Sequence, residues 1–116
     1  MKEKTNENNL ENLFKKHQEF TLKMFPKSTW KSSLIGLQRE IKEVEFAKDD
    51  YTVIDCAENK KALGYEYIDC LMYLLDSMKR AGFDASEIHD LFSEKYQINL
   101  KRTLVKDSDG CYSHVK

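Results

Sequence analysis

Several signatures of common function classes are missing from these 116 residues. There is neither a P-loop nor a GxGxxG turn, which sets aside P-loop and dinucleotide-binding chemistry. The three cysteines, Cys56, Cys70 and Cys111, are odd in number, and no two have metal-site spacing. They read as reduced thiols of a cytoplasmic protein. The net charge is −1, from 19 basic and 20 acidic side chains, so bulk electrostatics offers no case for polymeric nucleic acid or a membrane as partner. The longest apolar run is too short to cross a bilayer. The first residues, MKEKTNENNLENL, lack the apolar core of a signal peptide. His17, His89 and His114 are scattered, and His89 falls on the outer side of its helix. No ExxH pair of a di-iron bundle is present, and no Ser/His or Cys/His pairing can be argued. There is no internal repeat and no low-complexity linker.

What is present centres on ALGYEYIDCLMYLLDSM, from Ala62 to Met78, the most apolar stretch of the chain. It is too long for an ordinary strand and reads as a buried helix. At ~100° per residue, Tyr67, Leu71, Leu74, Leu75 and Met78 share one face. Ala62, Glu66, Asp69, Tyr73 and Asp76 share the opposite face. Carboxylates there are costly to bury unless paired or bound to a cation. Glu66 and Asp69 are three apart, so they project from the same side, one turn apart. A second pair, Glu40 and Glu43, lies in LQREIKEVEFA beside the stripe Leu34, Leu37, Ile41 and Val44. If the two helices pack antiparallel, four carboxylates converge, a donor set suited to a hard cation such as Mg2+. The other reading is four solvated helix charges.

The pattern predicts an all-α, four-helix bundle-like domain spanning 1–116, with helices over about 9–25, 30–48, 60–81 and 85–103. Residues 1–6 and 104–116 are expected as loose tails, with a turn at Asp109-Gly110. The first helix carries Leu10, Leu13, Phe14, Phe20 and Met24, and Pro26 ends it. Thr29 supplies a capping hydroxyl for the second helix. Asp49-Asp50 breaks that helix, leaving a connection over 49–59 of a length that is often functional. Gly82 suits the C′ position after Lys79 and Arg80, and Asp84 or Ser86 caps the last helix. Helix 62–78 is apolar on nearly every side, so one face can meet its own chain and another a partner subunit.

On the fourth helix Ile88, Leu91 and Phe92 form an inward stripe that continues as Lys95, Asn99 and Arg102. These three lie within roughly 40° of one another. A cation, an amide and a guanidinium need anionic partners, either carboxylates or phosphates. Cation-binding carboxylates together with a phosphate comb are what phosphoryl or nucleotidyl chemistry requires. An ion-pair network between the acids and Lys95 and Arg102, in a non-catalytic helical interaction protein, uses the same residues.

Glu40-x-x-Glu43, a 22-residue gap and Glu66-x-x-Asp69 resemble the MazG-type all-α nucleoside triphosphate pyrophosphohydrolase signature. Lys95, Asn99 and Arg102 are similar to that family's downstream Lys…Asn-x-x-Arg element, and the likeness covers about residues 9–103. FPKSTWKSSLIGLQREIKEVE and the DSDG…H ending resemble more narrowly the phage and bacterial dATP/dGTP diphosphohydrolase (MazZ-like) branch. The resemblance implies hydrolysis of a nucleoside triphosphate, such as dATP or dGTP, to monophosphate and pyrophosphate, in a homodimer or homotetramer. It implies Glu40, Glu43, Glu66 and Asp69 as ligands of Mg2+, with Mn2+ able to substitute, and Glu40 or Glu43 also activating water. It implies Lys95, Asn99 and Arg102 as phosphate contacts. Phe14, His17, Gln18 and Trp30 are nucleoside candidates, although Phe14 and Trp30 read equally as core. Where the family often has a further Glu just before the first ligand, this chain has Arg39, which bears on the number of metal ions. A same-fold hydrolase of a phosphoribosyl nucleotide carries the same residues.

Overall fold

A computed structural model describes residues 9–102, 104–106 and 108–114. The tail predicted at residues 1–6 lies outside them. Among the described residues four helices follow in order: α1 (Leu10–Met24), α2 (Trp30–Val53), α3 (Ala57–Arg80) and α4 (Ala85–Leu100). The chain divides into two compact units, one running to Ala85 and the other from Ser86. No helix among the described residues is long and apolar enough to cross a membrane.

Local chemistry sets the ends of the helices. Asn9 accepts the Asn12 N–H at 2.7 Å to start α1. Thr29 and Ser32 exchange side chain and backbone bonds in a capping box that starts α2. The expected break at Asp49-Asp50 does not occur, and α2 continues to Val53. Lys48 holds this last turn: its Nζ donates to the Thr52 hydroxyl at 3.0 Å and also lies over the Tyr51 ring. The connection expected over 49–59 therefore shrinks to residues 54–56. Asn59 spans it, donating to the carbonyls of Ile54 at 3.1 Å and Asp50 at 3.4 Å, at the end of α2. At the far end of α3, Gly82 adopts φ 110°. Its N–H reaches the Lys79 carbonyl, and that of Phe83 reaches Met78, which forms a Schellman cap.

α2 and α3 form an antiparallel hairpin. Ser33 meets Asp76, Gly36 meets Tyr73, and Glu40 meets Glu66 and Asp69. The acid-bearing face of α3 is thus the one turned to α2. This corrects the expectation of a fully buried helix, since Tyr67, Ile68, Leu71 and Leu74 on its apolar side are exposed. Small residues on α2 allow the arrangement. A Cβ at Gly36 would stand 2.8 Å or less from three atoms of the Tyr73 ring. Gly36→Ala gains about 1 kcal/mol of helix propensity but overpacks the contact at a cost of about 1–3 kcal/mol. The variant is expected to melt lower than the parent; a higher melting temperature would show that the ring moves aside freely.

α1 packs on α3 through polar groups. Gln18 is the most buried side chain of the described residues, and its amide donates to the carbonyls of Leu75 and Phe83, both at 3.4 Å. The predicted apolar residues of α1 (Leu10, Leu13, Phe20 and Met24) are exposed instead.

In the second unit, α4 stops at Leu100 and Arg102 lies beyond it, so the wheel argument that aligned Lys95, Asn99 and Arg102 lapses at Arg102. Ile88 is half-buried, but Leu91 and Phe92 of the expected inward stripe are exposed. Part of the expected loose tail is a hairpin. Strand β1 (Leu104–Lys106) pairs antiparallel with β2 (Tyr112–His114), matching Lys106 to Tyr112 across the loop that holds Asp109-Gly110.

Candidate active site

The hairpin register brings Glu40 of α2 onto Glu66 and Asp69 of α3. One oxygen from each lies within 4.8 Å of the others, with Glu40 and Glu66 half-buried and Asp69 exposed. None of the three pairs with a lysine or arginine among the described residues of the unit that holds α1 to α3. Glu40 shows the strain of the arrangement. Burial raises its pKa above the usual carboxylate value, followed by a side-chain hydrogen bond with Glu66 and the charges of Asp69, Glu66 and Glu43. Its Oε2 is buried and has no hydrogen-bond partner. A divalent cation fits such a donor set: hard oxygens, uncompensated negative charge and an orphan acceptor. Glu43, the fourth expected ligand, is exposed and stands outside this trio, on the outer surface of α2 beside Arg39, Lys42 and Phe46.

Cys70 adjoins the acids, and burial, then the charges of Glu40, Asp69 and Glu66, push its thiol up. It stays protonated, as neither nucleophile nor soft ligand. Cys56 and Cys70 are free thiols.

A cavity of about 340 Å3 opens beside Asp69. His17, Phe20, Thr21 and Phe25 line it from α1 and its end, Ser28, Ser32 and Ser33 from the turn and start of α2, and Met72, Tyr73 and Asp76 from α3. Of the four nucleoside candidates only His17 lines it, with Nε2 donating to the Met72 carbonyl at 3.3 Å. Phe14 and Trp30 do not reach it, and Gln18 has turned its amide to the backbone. Lys95, Asn99 and Arg102 are exposed, the first two one turn apart in α4.

The cavity floor is a buried polar node that the sequence reading missed. Arg80 donates from Nε to Asp76 Oδ2 at 2.8 Å, and from its other nitrogens to the carbonyls of Ser28 at 2.8 Å and Thr21 at 3.0 Å. Ser33 donates to the same Oδ2 at 2.5 Å, and Ser77 to the Trp30 carbonyl at 2.8 Å. One side chain thus ties α3 to the α1–α2 turn. Its signal in the sequence was the i,i+4 spacing of Asp76 and Arg80 on the face that carries Asp69.

These carboxylates give stability opposite pH slopes. Burial alone would raise the pKa of Asp76, but hydrogen bonds from Arg80 and Ser33, the nearby Thr21 hydroxyl and the Arg80 charge outweigh it and lower the pKa. That contribution is present above the unfolded value of 3.8 and is lost as pH falls through the lower folded value. Glu40 holds its proton more tightly folded than unfolded. Its contribution is full below 4.5 and is lost as pH rises through the raised folded value. Without metal, the melting temperature is expected to climb from strongly acid pH and then decline as Glu40 ionises. With Mn2+ present the decline is expected to vanish, because the cation selects the ionised form. A metal effect that shrinks with rising pH would contradict the assignment.

Comparison with known proteins follows the same line. The profile of a dATP/dGTP pyrophosphohydrolase family matches residues 13–115. Among curated proteins, none matches. A solved structure, the cyanophage S-2L MazG-like pyrophosphohydrolase bound to dGDP and three catalytic Mn2+ ions per active site, shares the fold with a TM-score of 0.66 at 18% identity, over 93% of this chain and 98% of that one.

Proposed function

This chain belongs to the dATP/dGTP pyrophosphohydrolase family and is a nucleotide pyrophosphohydrolase, and we propose that it cleaves dATP or dGTP to the deoxynucleoside monophosphate and pyrophosphate with Mg2+ or Mn2+. One observation carries the reading: three carboxylates from two helices, their oxygens within 4.8 Å, with no basic partner among the described residues of their unit. Glu40, Glu66 and Asp69 would hold the cation. When bound, it neutralises phosphate oxygens and lowers the pKa of a water. Glu43, one turn along α2 and open to solvent, orients the attacking water and takes its proton. The water oxygen bonds to the α-phosphorus, the bond from it to the bridging oxygen breaks, and pyrophosphate leaves. Lys95, Asn99 and Arg102 receive the departing phosphates. The solved relative bound to dGDP and Mn2+ supports the nucleotide and the cation class.

The exposed apolar side of α3 supports a homodimer or homotetramer, since Tyr67, Ile68, Leu71 and Leu74 repeat at helical spacing without cover. The free thiols of Cys56 and Cys70 suit a reducing cytoplasm.

The test is incubation with Mg2+ or Mn2+ and each common nucleoside triphosphate, with the products resolved. Monophosphate and pyrophosphate from the purine deoxynucleotides is the expected result. Diphosphate and orthophosphate would overturn attack at the α-phosphorus. Turnover of phosphoribosyl nucleotides alone would move the substrate. No turnover, with no metal-induced stabilisation, would leave a non-catalytic bundle.

A further inference from the structure

We propose that Asp76 reads the base, its Oδ1 accepting a hydrogen bond from the exocyclic amino group of a purine seated in the cavity beside Asp69. The inference rests on the nucleotide-cleaving reading above and names a specificity residue within it.

The two carboxylate oxygens of Asp76 are used differently. Oδ2 takes both strong bonds, from Arg80 at 2.8 Å and Ser33 at 2.5 Å. Oδ1 is buried and has no hydrogen-bond partner. Thr21 stands close to this carboxyl, but its hydroxyl donates to the Gln18 carbonyl at 3.1 Å. The residue is 7% exposed and lines the cavity. A buried carboxylate oxygen without a donor is uncommon, because such groups are nearly always satisfied. An ionised carboxylate only accepts, so the missing partner is an N–H or O–H donor. The Arg80 guanidinium already balances the charge, so the partner need not be a cation.

Position narrows the donor. Asp76 lies seven residues beyond Asp69 on one face of α3, a rise of ~10 Å. A nucleotide whose phosphates sit at the acidic trio would place its sugar along the turn that carries Tyr73 and its base at Asp76. Phe20, Phe25, Met72 and Tyr73 supply flat or apolar wall for a ring system. Guanine and adenine both present an exocyclic amino group, N2 or N6, as a donor. In each purine that group is on the six-membered ring, farther from the sugar than the five-membered ring. The two amines are on different edges of that ring, so the acceptor at Asp76 meets N2 or N6 according to how the base is turned.

The test compares pairs of nucleotides that differ only in that amine. For the purine turned over faster, the analogue is deoxyinosine triphosphate against dGTP, or the 6-unsubstituted purine deoxynucleotide against dATP. Loss of one hydrogen bond to a charged acceptor is expected to lower kcat/KM about 10- to 100-fold, mainly through KM. In Asp76→Asn, checked for native helicity, the ratio between partners is expected to fall to about one. Equal kcat/KM within the pair for the parent enzyme, or an unchanged ratio in the variant, would overturn the proposal. Calorimetric binding of the corresponding monophosphates reads the same contact without turnover. Tighter binding of the amino form by an inactive protein would uphold Asp76 and remove the hydrolase reading. Hydrolysis with no preference for the amine would do the reverse.

Discussion

Asp69→Asn and Glu66→Gln are each expected to lower kcat/KM by on the order of 10³-fold or more, with the helical fold intact. Loss of a group that merely supports a metal ligand costs about 10–100-fold, and these residues are read as ligands themselves. Glu40→Gln is expected to be equally inactive and, without metal, more stable than the parent at neutral pH. The parent carries a carboxyl whose ionised form is disfavoured by burial and by Glu66, Asp69 and Glu43; the amide removes that conflict. Thermal melts with and without Mn2+ separate the effects. The parent should be stabilised by the cation through mass action, and Glu40→Gln should start higher and respond little. A destabilised Glu40→Gln that still answers to Mn2+ would place the cation elsewhere. Gaining stability while losing function is the trade expected of charge gathered for a ligand.

Arg80→Met is expected to be the most damaging single change to the fold. Arg80 and Asp76 side chains are 6% and 10% exposed, and the guanidinium satisfies two carbonyls besides the carboxylate. Removing one partner of a buried pair strands the other, at a cost of about 3–5 kcal/mol. Native domains have only about 5–15 kcal/mol to lose, so the melting temperature should drop by about 10–20 °C. Replacing both residues, as Asp76→Leu with Arg80→Met, should cost less than Arg80→Met alone, because no charge is left uncompensated. A double variant worse than the single would mean that the carbonyls of Thr21 and Ser28 matter more than the charge of Asp76.

Periodicity made the helices legible, and capping chemistry found Thr29 and Gly82. It misjudged the end of α2 because Asp49-Asp50 resembles a stop, while the contacts from Lys48 to Thr52 and Tyr51 and the bonds from Asn59 carry that end. Hydrophobicity also pointed to a helix buried on every side, although of the apolar face of α3 only Leu75 is buried and Met78 half-buried. The side turned to α2 carries Glu66, Asp69, Tyr73 and Asp76, and what admits it is the lack of a side chain at Gly36 and the hydroxyl at Ser33. The spacing of carboxylates identified three members of a cluster, since Glu40, Glu66 and Asp69 fall one turn apart on facing helices. It did not separate Glu43, because an i,i+3 step states that two side chains are neighbours and not how far each leans toward a second helix. The cavity was largely illegible. Its walls come from three helices and a turn, and only the register of Ser33 on Asp76 brings them together.

The most direct test is hydrolysis of dGTP in 18O-labelled water with Mn2+ and the purified chain. Label is expected in the monophosphate and absent from pyrophosphate if, as proposed, water oxygen joins the α-phosphorus at a cation held by Glu40, Glu66 and Asp69. The same label should disappear with Asp69→Asn. Label in pyrophosphate, or labelled monophosphate formed at an undiminished rate by Asp69→Asn, would contradict the assignment of this acidic cluster as the hydrolytic centre.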